Sequence, residues 1–268
     1  MLIDTHTHLY VSEFDADRDE TILRARQAGI GALLLPCIDE GSIGPMMKLC
    51  AHHPDLCYPM MGLHPTELPS DPESTLACME QLLQDPSHPF VAVGEVGVDL
   101  YWDSSRREEQ LHAFHTQALW ACRYGLPLVV HSRNAHAEIT QTLRPLQNQL
   151  HGGVFHCFGG TEHEALQLLE FPDFCLGIGG VVTFKKSTLP EVLSRAIPIE
   201  RVVIETDSPY LAPTPHRGKR NESAYLPLVV QKLAEIYGLS VSEVETITTR
   251  NALRVFKKVA EKFGQSKS

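Results

Sequence analysis

Eight short apolar runs punctuate this chain, and longer segments with helical spacing separate them. The runs are residues 2–3, GALLLP (31–36), CYPMMGL (57–63), FVAVGE (90–95), LPLVVH (126–131), GGVFHC (152–157), FCLGIGG (174–180) and RVVIET (201–206). Between two of them, RREEQLHAFHTQALWACRYG (106–125) repeats Leu111, Phe114, His115 and Ala118 at i, i+3, i+4 and i+7, and Gly125 supplies the stop. Eight such β/α alternations in 268 residues predict an α/β fold, a (β/α)8 TIM barrel occupying residues 1–268 as a single domain. An open doubly wound sheet is the less favoured arrangement, because no glycine-rich phosphate loop follows the first strand. Past the eighth run, YLPLVVQKLAEIYG and SVSEVETITTRNALRVF predict two or three C-terminal closing helices.

A hydrophobic content of 43% is enough to fill such a core. The formal net charge of −10 argues against holding nucleic acid by bulk electrostatics, so any phosphate contact must be local, with bound metal supplying positive charge. Seven scattered cysteines, odd in number and without a C-x-x-C pair, read as free thiols of a reducing cytoplasm. No basic leader and no run of 18 apolar residues is present, so a cytoplasmic protein without a membrane span is expected.

The first run continues into IDTHTHL (3–9). In a strand, residues i and i+2 share a face, so His6 and His8 project together at the C-terminal end of strand one, the end where a barrel carries its active site. Comparable positions hold Glu95, His131 and His156 at the ends of strands four, five and six, and Asp207 just past strand eight. Any one of these alone is an ordinary loop or capping residue. Together, four imidazoles and two carboxylates converging on one mouth suit Zn²⁺, Mn²⁺, Fe²⁺ or Co²⁺, and suit Mg²⁺ less well. Six ligands exceed one tetrahedral site, so two divalent ions bridged by a carboxylate are expected. Paired ions lower the pKa of a shared water and stabilise charge on ester oxygens, which points to hydrolysis.

The blocks DTHTHL, GLHP (62–65), VGEVGVDLYW (93–102), VVHSR (129–133), VFHCFGG (154–160), IETDSPYL (204–211) and RGKRNES (217–223) follow in order and spacing. In this the chain resembles the TatD family of metal-dependent deoxyribonucleases, within the amidohydrolase superfamily. The resemblance implies that His6, His8 and Asp207 bind one ion, His131 and His156 the second, and that Glu95 bridges them, where superfamily relatives use a carboxylated lysine. It also implies that His64 and Arg133 face the substrate phosphate. Two positions depart from the family pattern: Ser223 replaces a proline, which is expected to loosen the loop entering the next helix, and Gly159 replaces a common serine.

The cluster HRGKR (216–220) follows the strand-eight loop, and its place beside Asp207 in an acidic chain suggests that Arg217, Lys219 and Arg220 contact a phosphate backbone. Few aromatics flank it, so base stacking and sequence readout are not expected there. The expected activity is therefore hydrolysis of phosphodiester bonds at DNA ends or in nucleotide esters, of the exonucleolytic kind, with Asp207 taking or relaying a proton. An amidase or lactonase of the same superfamily, and a non-catalytic metal-binding protein, are the competing readings.

Overall fold

A computed structural model describes residues 1–265. The order is β1 (Leu2–Asp4), α1 (Arg18–Gln27), β2 (Ile30–Pro36), α2 (Glu40–His52), β3 (Cys57–Met60), α3 (Pro72–Gln84), β4 (Val93–Asp99) and α4 (Arg107–Tyr124). It continues with β5 (Leu128–Arg133), α5 (His136–Leu143), β6 (Gly153–Phe155), α6 (Glu162–Leu169), β7 (Phe174–Ile178), α7 (Leu189–Ala196), β8 (Val202–Ile204), α8 (Leu226–Tyr237), α9 (Val241–Val255) and α10 (Lys257–Gln265). All pairings are parallel, in the runs β1-β2-β3 and β4-β5-β6-β7-β8. Two seams close the ring. At one, Met61 bridges Val93 and the Gly94 N–H donates to the Met61 carbonyl at 2.8 Å. At the other, Thr7 bridges Ser208 and the Asp207 N–H donates to the His6 carbonyl at 2.9 Å. The eight expected β/α units are present and form the (β/α)8 barrel.

Alternation along the strands divides the core in two. Ile3, Leu34, Tyr58, Val129, Val154, Cys175 and Val203, drawn from seven strands, fill the barrel interior. Their neighbours Leu2, Leu33, Leu35, Leu128, Val130, Phe155, Leu176, Val202 and Ile204 pack outward under the helices. Ala252 and Val255 of α9, with Phe256 and Val259, belong to the inner cluster. Asn251 on α9 donates to the carbonyls of Ile199 and Val202, both at 2.8 Å, at the start of β8. The C-terminal helices therefore plug the N-terminal mouth, and the opposite mouth stays open for a site.

Strand ends differ from the expected ones: β5 runs two residues past His131 to Arg133, and β6 stops at Phe155, one residue before His156. β4 begins three residues later than the apolar run and extends to Asp99, so Glu95 is its third residue and not its last. The glycines hide that extension: Gly97 has φ +149°, and a Cβ there would lie 1.9 Å from the His131 carbonyl oxygen, so only glycine lets β4 lie flush on β5. β1 stops at Asp4, and His6 and His8 lie in an extended segment beyond it. On α4 the buried face runs through Gln110, Ala113, Phe114, Gln117, Ala118 and Ala121, leaving His115 exposed. Both glutamines are buried because they satisfy loop backbone: Gln117 accepts from the Leu63 N–H at 2.7 Å, and Gln110 accepts from the Asp99 N–H at 2.8 Å.

Candidate metal centre

The site is built on extended backbone at the open mouth. His6 and His8, two residues apart, bring their Nε2 atoms to 3.2 Å. Buried Glu95 stands between two groups of imidazoles. Its Oε2 is 3.0 Å from His6 Nε2 and 3.7 Å from His8 Nε2. Its Oε1 is 3.0 Å from His131 Nδ1, 3.4 Å from His64 Nε2 and 3.6 Å from His156 Nε2. Asp207 Oδ1 lies 3.5 Å from His8, 3.8 Å from His156 and 3.9 Å from His6. Asp207 adopts a left-handed backbone at φ 56°, as does Cys157 at φ 49° directly after His156. Non-glycine residues in that region carry strain of about 1–3 kcal/mol, and such strain concentrates at functional sites.

The electrostatics follow from crowding. Burial drives the Glu95 carboxyl up, but the charges of His6, His64 and His156 outweigh it and hold the group well below its ordinary range. Burial pushes His156 down, yet Glu205, Glu95 and Asp207 together raise it to about 10. His6 moves the other way, lowered by burial and by its neighbour His156. The His6 and His156 rings stack with centroids 3.5 Å apart, and His6 Nδ1 is buried without a hydrogen-bond partner. Two carboxylates and several imidazole nitrogens thus converge on one small volume. A cation satisfies that donor set, and its nitrogen-rich composition fits a first-row transition ion.

Of the residues expected at the site, His8, His64, Glu95, His131, Arg133, His156 and Asp207 line an open cleft of about 590 Å³, with His6 buried at its floor. The basic cluster does not line this cleft. Arg220 is committed elsewhere: it grips Asp17 through two contacts of 2.7 Å and lies over the Phe14 ring. Arg217 lies over the Phe184 ring, 4.1 Å from its centroid, and Lys219 is exposed. The loop bearing Ser223 is tied to the strand-eight loop through Asn221. Asn221 donates to the carbonyls of Thr206 and Tyr210, both at 2.7 Å, and Ser223 is fully buried with its hydroxyl toward Asp4. At Gly159 an added Cβ would meet nothing within 4 Å, so the lost serine leaves open space.

Two acidic residues escaped sequence reasoning. Glu205 is buried, accepts from the Cys157 N–H at 2.6 Å and approaches His156 Nδ1 at 2.9 Å. That approach, to the same Oε1 that accepts from Cys157, is an ion pair rather than an aligned hydrogen bond, since His156 Nδ1 lacks one. Gly177 makes room for it, because a Cβ there would fall 2.3 Å from Glu205 Oε2. Its place two residues before Asp207 in IETD gave no signal of this, because Asp207 turns left-handed at φ 56° and the two carboxylates do not follow the alternation of extended chain. Asp99 lies beyond the end expected for β4 at Glu95; its Oδ2 is 2.9 Å from His131 Nε2. Carboxylates behind imidazoles fix ring orientation and raise ligand basicity. Glu205→Gln, which keeps the shape and removes the charge, is expected to weaken transition-metal affinity about 10- to 100-fold. Competition with a chromophoric chelator measures it, and unchanged affinity would show that Glu205 does not support His156.

Comparison with known proteins agrees with this architecture. The sequence profile of the family described as TatD related DNase matches residues 3–257. The chain is 35% identical over 257 residues to a protein of Bacillus subtilis named uncharacterized metal-dependent hydrolase YabD, covering 96% of this chain and 99% of the relative. It is also 35% identical over 267 residues to the 3'-5' ssDNA/RNA exonuclease TatD of Cronobacter sakazakii, covering 97% and 99%. Among solved structures, the TatD homologue YJJV of Escherichia coli superposes with a TM-score of 0.89 at 28% identity, over 96% of this chain and 98% of the other. Sequence kinship from end to end and a shared barrel lead to one conclusion: the chain belongs to the TatD family of metal-dependent hydrolases.

Proposed function

We propose that this protein is a two-metal phosphodiesterase that shortens unpaired ends of DNA, and of RNA, with its whole activity carried by the one barrel domain of residues 1–268. The observation that carries this reading is the division of Glu95, with Oε2 turned to His6 and His8 and Oε1 turned to His131, His64 and His156. His6, His8 and Asp207 would hold one divalent ion, His131 and His156 the other, and Glu95 both. Bound there, two ions supply an activated water and offset charge on the phosphate oxygens. Asp207 turns Oδ1 to the histidines, which leaves Oδ2 to take the proton released when water attacks. Arg133 lines the cleft with no carboxylate partner among the described residues, so its N–H groups are available to a phosphate. His64 sits beside His131, ring centroids 4.5 Å apart, on the same side of Glu95. Arg217 and Lys219 remain candidates for more distant backbone contacts, whereas Arg220 serves the anchoring of α1. The relatives named as single-strand exonucleases support the substrate class and suggest attack from the 3′ end. No helix among the described residues is long and apolar enough to cross a membrane, and all seven cysteines are free, which supports a reducing cytoplasm.

The test is turnover with added Mn²⁺, Co²⁺, Zn²⁺ or Mg²⁺ on single-stranded oligonucleotides, duplexes, bis-p-nitrophenyl phosphate and a carboxyl ester panel. Stepwise metal-dependent shortening of single strands, abolished by chelator, is expected. Hydrolysis of carboxyl esters with no cutting of nucleic acid would replace this reading with that of a small-molecule hydrolase.

A further inference from the structure

Among the described residues only three Phe, Tyr or Trp side chains are exposed; two of them line the cleft, and the third, Tyr101, packs against Trp102 with ring centroids 5.1 Å apart. The three are Tyr101 (54% exposed), Trp102 (68%) and Tyr210 (52%). Exposing aromatic surface in one place gives up burial that a rigid turn could have provided, so a cluster of it on a cleft edge marks a binding surface.

The turn that presents two of them is built for the purpose. Asp99, the last residue of β4, accepts with Oδ1 from the backbone N–H groups of Tyr101 at 3.0 Å and Trp102 at 2.9 Å. Its other oxygen faces His131 Nε2 at 2.9 Å. Gln110 locks the same turn from below, donating to the carbonyls of Asp99 at 3.1 Å and Asp103 at 2.8 Å. One carboxylate therefore sets the aromatic pair in register with a histidine of the metal centre. Arg133, two residues beyond His131 on β5, lays its guanidinium over the Tyr101 ring, 3.9 Å from the centroid, and 5.3 Å from the centroid of Trp102. The order across the rim is metal centre, then cation, then aromatic face, and a nucleotide presents phosphate, sugar and base in that order. Tyr210 stands on the β8 side of the mouth, 6.2 Å from the His8 ring. The expectation that few aromatics flank the 216–220 cluster is not met, since Arg217 lies over Phe184, Arg220 over Phe14 and His216 on Tyr225, but those rings are covered and the exposed ones stand near the metal mouth.

Resting on the phosphodiesterase reading above, we propose that Trp102, held edge-on by Tyr101 (85° between the rings) and backed by Arg133, is the stacking platform for an unpaired base adjoining the phosphate held at the metal centre. Bases paired and stacked in a duplex do not offer a free face, so the platform selects single strands. A ring face binds any base, so selection by sequence is weak. The acidic chain then needs few basic contacts, because stacking supplies affinity that charge does not.

The test compares a single-stranded oligonucleotide with one whose terminal bases are replaced by abasic tetrahydrofuran units, using the metal-loaded enzyme. The unmodified protein is expected to show a KM about 5- to 100-fold higher on the abasic strand. Trp102→Ala should raise KM on the normal strand by a similar factor, leave the abasic KM near its starting value and change kcat little. Trp102→Phe, which keeps a stacking face, should recover part of the loss. Trp102 is exposed and the second tryptophan, Trp120, is 2% exposed, so fluorescence gives a direct readout. A dT oligonucleotide should quench it, and the abasic strand should not. Equal KM for both strands in the unmodified protein, with no quenching, overturns the platform and leaves the nuclease reading standing. Cleavage of neither strand, while a small ester is hydrolysed, overturns the nuclease reading and the platform with it.

Discussion

Glu95→Gln is expected to lower kcat by about three orders of magnitude, the scale of several kcal/mol of transition-state stabilisation lost with a metal pair. The substitution keeps the volume and both heteroatoms, so packing changes little. What it removes is the anion that faces five imidazoles, three through Oε1 and two through Oε2. A neutral amide turns one end into N–H groups that repel a cation, so at most one ion is retained. Glu95→Ala should be at least as damaging. Circular dichroism confirms the fold, and turnover of bis-p-nitrophenyl phosphate at saturating Mn²⁺ reads the loss independently of oligonucleotide binding. Turnover within tenfold of the unmodified protein would mean that Glu95 does not join the two halves of the site.

His131→Ala and His156→Ala should both cripple activity, by two orders of magnitude or more on the same scale, but only the second should strongly destabilise the fold. His131 is partly exposed at the cleft, and its removal leaves Asp99 with the backbone donors of Tyr101 and Trp102. His156 is the charge partner of the buried Glu205. Taking it away strands that carboxylate in the interior, and breaking a buried pair from one side costs about 3–5 kcal/mol. Adding Glu205→Gln to His156→Ala removes the stranded charge, so thermal stability of the metal-free protein should largely return while activity does not. Thermal unfolding of the three variants with chelator present measures this. Equal midpoints for His131→Ala and His156→Ala would refute the proposed pairing of Glu205.

The barrel was legible because eight apolar runs must alternate with eight amphipathic segments for either kind of element to be buried. Ligand types were legible for a related reason: imidazoles and carboxylates at strand ends stand out where apolar residues would otherwise continue. Register was less so. Gly94 and Gly97 interrupt the apolar signal of β4 and contribute close backbone approach instead, so the strand reads as ending at Glu95 and nothing marks Asp99 as part of it. Charge alone also misleads. Arg220 reads like Arg217 in sequence, but Asp17, 203 residues away, claims it. The aromatic rim was invisible because the separation between Tyr101 and Tyr210 in the chain says nothing of their meeting around one mouth. Glu205 was hidden beside Asp207, since only the fold shows that it turns toward the back of His156.

If Glu95 holds two ions, the stoichiometry of metal binding shows it. Metal-free protein titrated with Mn²⁺ or Co²⁺, followed by calorimetry and checked by elemental analysis after gel filtration, should saturate at two equivalents per chain. Electron paramagnetic resonance of the Mn²⁺ form should show coupling between ions about 3.5–4 Å apart. Glu95→Gln should saturate at no more than one equivalent without coupling. Saturation of the unmodified protein at a single equivalent, with an uncoupled spectrum, would contradict the account.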